Sequence, residues 1–107
     1  MNLTQYQIAI VNFDPIIGSE IKKTRPCVII SPDEMNNHLR TVVIAPVTSQ
    51  SKNYPTRIKI RTGNKDGWIV TDQIRTIDRQ RVIKVIGELT DKETEDIKRI
   101  IKETFVD

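Results

Sequence analysis

The apolar positions change period once along the chain. Through residue 88 they come in short, β-branched runs bounded by Pro, Gly, Asn or Ser; from residue 90 onward they recur every three or four positions. The first pattern predicts strands at residues 6–13, 26–31, 41–46, 56–61, 68–71 and 81–88, with Asp14-Pro15 ending the first and Ser31-Pro32 the second. The run TRIKIR alternates cleanly, so Ile58 and Ile60 should point inward and Arg57, Lys59 and Arg61 toward water. Residues 63–67 read as the turn that follows it. Six short strands at this spacing suggest a small antiparallel barrel.

The second pattern predicts a C-terminal helix whose stripe is Ile97, Ile100, Ile101 and Phe105. Thr90 followed by Glu93 fits a capping box, Asp91 suits the positive end of the helix dipole, and Lys98, Arg99 and Lys102 lie toward the other end. A short helical turn is also expected at residues 33–38, between the second and third strands.

Composition narrows the class. A chain of 107 residues with 29% charged and 37% hydrophobic positions is expected to form one globular domain, without repeats, linkers or low-complexity segments. It carries no signal-peptide pattern, and no apolar run approaches the roughly 20 residues that cross a bilayer. A soluble cytoplasmic protein with no membrane association is therefore expected. The lone Cys27 sits in an apolar run, which argues against a disulfide or a thiolate metal site; no metal or cofactor is expected. The net charge of +3 and sequence pI near 9.2 mildly favour an anionic partner.

Polar chemistry concentrates in one place. If the strands at 26–31 and 41–46 pair antiparallel, the start of one lies beside the end of the other, and Arg25 faces Val47 and Thr48. Arg25 precedes a proline, so its backbone is held extended. A guanidinium beside a hydroxyl can grip two phosphate oxygens at once. The alternative is local: Arg25 would cap carbonyls or pair with Glu20, while Thr48 and Ser49 bond their own turn.

The segments GSEIKKTRP (residues 18–26), APVTSQ (45–50) and DQIRTIDRQR (72–81) occur in an order and at a spacing that resembles the MazF/PemK toxin family. The patterns DPxxGSE, RPxxxIS, PVTSQSKxYP and DGxxxxDQIRTID extend that likeness over nearly the whole chain. The resemblance implies an SH3-like antiparallel barrel with a C-terminal helix, usually a homodimer. It implies a metal-independent endoribonuclease acting on single-stranded RNA, held in check by an acidic, MazE-like antitoxin that occupies the same groove. It places the catalytic arginine on Arg25 and the catalytic threonine on Thr48, with Ser19, Glu20, Ser49, Gln73 and Arg75 lining the groove. PemK-type members pair an Arg and an Asp, here Arg75 and Asp78, with a histidine. Gly18-Ser19 stands where that histidine would be, so the Arg25–Thr48 assignment is preferred.

The implied chemistry is attack of a 2′-hydroxyl on its own phosphate, giving a 2′,3′-cyclic phosphate and a 5′-hydroxyl. Arg25 would stabilise the developing charge and Thr48 would hold a non-bridging oxygen or orient the nucleophile. Arginine holds its proton too tightly to be a good general base; Glu20 is the candidate for that role, and the single histidine, His38, is read as a surface residue. Phe13 could stack a base or could instead be a strand-end core residue, with Gln50, Gln73 and Arg75 offering hydrogen bonds to base edges. Lys22, Lys23 and Lys52 could track phosphates, as could the Arg57, Lys59 and Arg61 comb if it is more than a solvated face. Two other classes stay open: a CcdB-like inhibitor that binds DNA gyrase without chemistry, and a silent barrel that binds RNA or protein.

Overall fold

Three strands carry the architecture. In the computed structural model, which describes residues 1–13, 23–50, 54–62 and 64–106, β1 (Gln7–Asn12), β2 (Thr24–Ile29) and β3 (Thr41–Thr48) are antiparallel neighbours. Their apolar runs are continuous because both faces are covered. Ile8, Val28, Ala45 and Val47 enter one core with Ile58, Ile60, Ile69, Leu89, Ile97 and Ile100. Ala9, Val11, Cys27, Ile29, Val42 and Ile44 enter a second with Leu3, Ile77 and Val82. Successive residues of a strand point to opposite faces, so each run feeds two cores at once.

The remaining strands are β4 (Arg57–Thr62), β5 (Lys65–Val70), β6 (Arg75–Asp78) and β7 (Val82–Glu88). The seven strands follow the order β4-β5-β3-β2-β1-β7, with β6 also pairing β3. One edge of β3 is shared: Thr41 to Ile44 pair with β6, Val47 and Thr48 with β5. The sheet curls around this long strand into a half-barrel, as the strand spacing suggested. The helix α2 (Asp91–Phe105) carries the expected capping box, with Thr90 and Glu93 each accepting from the other's backbone N–H. Its Ile97 and Ile100 close the first core. The short α1 (Asp33–His38) links β2 to β3 as expected.

Four expectations need correction. The fifth strand starts at Lys65 rather than residue 68, because Gly67 lies inside it against Val47. It ends at Val70, where a 3-10 turn (Thr71–Gln73) begins. The strand β6 had no counterpart in the sequence reading. On β4 the basic comb is not uniformly solvated: Arg57 is half-buried and paired with Asp72 at 3.0 Å, while Lys59 pairs with Asp66 at 3.7 Å and lies over Trp68. Finally, Phe105 stays 56% exposed, beyond the stretch of α2 that packs on the sheet.

A buried polar knot ties α1 to the second strand pair. Asn36, fully buried, donates to the Ser31 carbonyl at 2.9 Å and accepts from the Ser31 hydroxyl, which accepts the Val43 N–H at 3.1 Å. Arg79 closes the outside, donating to the carbonyls of Asn36, Leu39 and Met1 at 2.6, 3.0 and 3.1 Å.

Candidate active site

The β2–β3 register sets Cys27 opposite Pro46. Continuing it by two residues puts Arg25 across from Thr48, at the rim where β3 turns to pair with β5. Pro26 holds Arg25 extended. The Arg25 side chain is exposed and makes no ion pair or hydrogen bond among the described residues. It stands between two depressions. One, of about 520 Å³, is lined by Phe13, Lys23, Thr24, Arg25, Pro46, Gln73 and Arg75. The other, of about 320 Å³, holds Arg25 with Thr48, Ser49, Thr62, Lys65, Asp66 and Gly67.

The charge balance of the larger groove indicates what it can bind. Three cations face it and none of the described residues lining it is acidic. The Arg75 guanidinium lies 5.1 Å from the Phe13 ring centroid, a cation–π contact that joins the two side chains on the groove lining. Phe13 is itself fixed by its N–H, which donates to the Lys23 carbonyl at 2.7 Å. A ring and a guanidinium plane beside the amide of Gln73 supply stacking surface and base-edge hydrogen bonds together. Beneath Arg25, Cys27 donates to the Arg25 carbonyl. Burial pushes its thiol up to about 12, against the opposing pull of the Arg25 and Arg75 charges, so it stays protonated and inert at neutral pH.

Thr48 follows the local alternative. Its hydroxyl donates to the Gln50 carbonyl at 3.0 Å and accepts the Gln50 N–H at 3.3 Å, closing the turn that carries Ser49 and Gln50. One lone pair remains for a ligand; donating to one requires the rotor to give up Gln50. Gln50 is exposed beside the cleft, outside both linings. Ser19, Glu20, Lys22 and Lys52 lie outside the described residues. His38 is exposed on α1, and Asp78 faces Thr41 at the opposite end of β3, where it caps the 3-10 turn Arg79–Arg81 through Gln80 N–H. The described residues thus bring Arg25, Thr48 and Arg75 to one rim and leave Asp78 away from it. They include no group of His, Cys, Asp and Glu arranged to hold a metal.

Lys65, Asp66 and Thr62 were missed in the sequence. The dipeptide Gly63-Asn64 is a two-residue hairpin signal. Read that way, it would have started β5 at Lys65, opposite Thr62, as the structure has it. Gly67 matters to the same cleft: a Cβ there would lie 2.7 Å from Val47 Cγ1 and 3.4 Å from the Thr48 carbonyl oxygen. Gly67→Ala should therefore destabilise the protein by about 1–3 kcal/mol through overpacking and displace the end of β3. A thermal melt indistinguishable from wild type would contradict this packing.

A family model described as "PemK-like, MazF-like toxin of type II toxin-antitoxin system" matches residues 4–105. The chain belongs to this family. It is 31% identical over 100 residues to Endoribonuclease MazF of Staphylococcus saprophyticus, covering 88% of this chain and 83% of that one. It is 36% identical over 87 residues to Endoribonuclease EndoA of Bacillus subtilis, covering 76% and 75%. The match to the Escherichia coli K12 Endoribonuclease toxin MazF, 39% identical over 67 residues, spans 63% of this chain and only 60% of the relative's length. Among solved structures, a MazE-MazF complex from Deinococcus radiodurans superposes with a TM-score of 0.81 at 22% identity, covering 96% of this chain and 95% of the other. Mycobacterium tuberculosis toxin MazF-mt6 gives 0.79 at 22%, covering 92% and 95%. These likenesses establish the half-barrel with its C-terminal helix as the MazF fold.

Proposed function

We propose that this MazF-family chain is an endoribonuclease toxin that cuts single-stranded RNA, including mRNA, by attack of a 2′-hydroxyl on the adjacent phosphate. The observation that carries the reading is Arg25: a guanidinium without a partner among the described residues, on the ridge between a groove lined by cations and the cleft of Thr48. The curated relatives named endoribonuclease support it and lend no support to gyrase inhibition.

In the proposed reaction the strand crosses the ridge with its scissile phosphate on Arg25. The 2′-oxygen bonds to phosphorus, the P–O5′ bond breaks, and the products are a 2′,3′-cyclic phosphate and a 5′-hydroxyl. Negative charge grows on the non-bridging oxygens and on the leaving oxygen. Arg25, whose planar guanidinium can donate two parallel hydrogen bonds, meets that charge as it develops. Thr48 keeps the Ser49–Gln50 turn in place and offers its free lone pair or, on rotation, its proton. The 2′-proton goes to a base other than Arg25, for which Glu20 is the assignment; the 5′-oxygen takes a proton from solvent. Phe13 and Arg75 stack a base, Gln73 and Gln50 read base edges, Ser19 and Ser49 line the path, and Lys22 and Lys23 hold flanking phosphates. The same groove would take an acidic antitoxin segment, and the active form is a cytoplasmic homodimer. Among the described residues no helix is long and apolar enough to cross a membrane.

Purified protein incubated with RNA in EDTA, with the fragment ends then sequenced and chemically typed, tests the reading. Discrete cuts ending in cyclic phosphate are expected. RNA left intact in both EDTA and divalent metal would overturn it.

A further inference from the structure

A third depression, of about 490 Å³, lies next to the Arg25–Thr48 cleft and shares three of its walls: Pro26, Thr62 and Lys65. Arg25 in turn belongs to both the cleft and the large groove. The three hollows therefore lie side by side, with Arg25 between the first two and Pro26, Thr62 and Lys65 between the second and the third.

The pairing of the β4–β5 cations is selective. Arg57 is neutralised by Asp72 and Lys59 by Asp66. Arg61 and Lys65, the two basic residues of this hairpin that line the third hollow, have side chains in no ion pair among the described residues. Arg61 is held in place from its backbone, whose N–H donates to Glu93. The same hollow is lined by apolar side chains, among them half-buried Ile10 and Ile86, which is 45% exposed. Glu88 stands on the lining too, and Asp66 faces the shared cleft, so the cationic character is local to Arg61 and Lys65.

We propose that the third hollow is a subsite for a nucleotide flanking the cut. Lys65 and Arg61 hold the phosphate next to the scissile one, and the attached base lies on Ile10 and Ile86. Apolar contact on a base face tolerates any sequence, and paired cations follow the backbone, so the subsite adds grip more than base choice. The inference rests on the endoribonuclease reading, because it needs a strand crossing Arg25.

The test compares a long RNA with versions truncated on either side of the mapped cut, using wild type, Arg61→Gln and the Arg61→Gln/Lys65→Gln pair. In wild type, truncation on one side should raise KM about tenfold, as loss of a charged hydrogen bond does. In the double variant the long RNA should lose that advantage, its KM meeting that of the truncated one. The slope of log KM against log salt should fall by about 0.7 for each phosphate contact removed. Circular dichroism and melting of both variants verify folding; these are exposed side chains on a hairpin held by other pairs. A wild type that cuts RNA with no length dependence, or variants that keep it, would overturn the subsite while leaving the nuclease reading intact. Variants that change the sedimentation behaviour but not the length dependence would overturn it in favour of a contact between copies. A wild type that cuts no RNA removes both readings.

Discussion

Arg25→Ala should lower RNA cleavage by about 10²–10³-fold, the usual loss when one preorganised donor to a developing anion is removed, while leaving the fold untouched. The separation of the two effects follows from the side chain's surroundings. Its guanidinium is exposed and supports no other group among the described residues, so truncation breaks no native contact there. The strand beneath it is held independently by Cys27, Val28 and Ile29, all fully buried. Arg25→Lys should recover only part of the rate, because an ammonium keeps the charge but cannot present two parallel donors to a phosphate. Single-turnover rates on a defined RNA, with the melting temperature of each variant alongside, decide the matter. An alanine variant that cuts at the wild-type rate would end the assignment, and one that loses activity only by unfolding would show that Arg25 is structural.

Much of this site could be read from the chain because its geometry is local and periodic. The runs ending at Ile30 and Pro46 are separated by a short connection, so antiparallel pairing follows almost without choice, and it alone carries Arg25 to Thr48. The α2 cap was equally legible, since Thr90 and Glu93 make their bonds within one turn. What escaped depends on partners remote in sequence. Only Ile77 of β6 is buried, so the segment is a strand because Thr41–Ile44 offer it a ladder, not because its own pattern demands one. Gly67 looked like a turn residue; it is a strand residue because Val47 needs the space a side chain would fill. The β4 comb looked uniform along the strand, yet Asp72 and Asp66, on other elements, pair Arg57 and Lys59 and leave Arg61 in no ion pair among the described residues. Asp72 illustrates the point. Chiefly through the hydrogen bond from Arg57, its carboxyl is held below the usual range, a property of neither residue alone.

The largest expected loss of stability lies far from the chemistry. Asn36→Ala should cost about 3 kcal/mol, because it leaves the Ser31 hydroxyl and carbonyl with reduced hydrogen bonding in a buried site, each at about 1–3 kcal/mol. With an unfolding entropy near 2.1 cal/mol/K per residue, that corresponds to a fall in Tm of roughly 10–15 °C. The knot joins α1 to β3 at Val43, while Thr48 lies at the far end of that strand; five strand rises make the separation about 17 Å. Cleavage per folded molecule should accordingly match wild type below the new melting point. Ser31→Ala tested alone and with Asn36→Ala supplies the coupling: removing both partners should cost less than the two single losses added together, since neither is then left facing an absent group. An Asn36 variant that melts with wild type would mean that water or a neighbouring carbonyl already serves Ser31. A strictly additive double variant would mean that the two side chains act on stability separately, the Ser31 hydroxyl through the N–H of Val43 and the Asn36 amide through the Ser31 carbonyl, rather than through the bond between them.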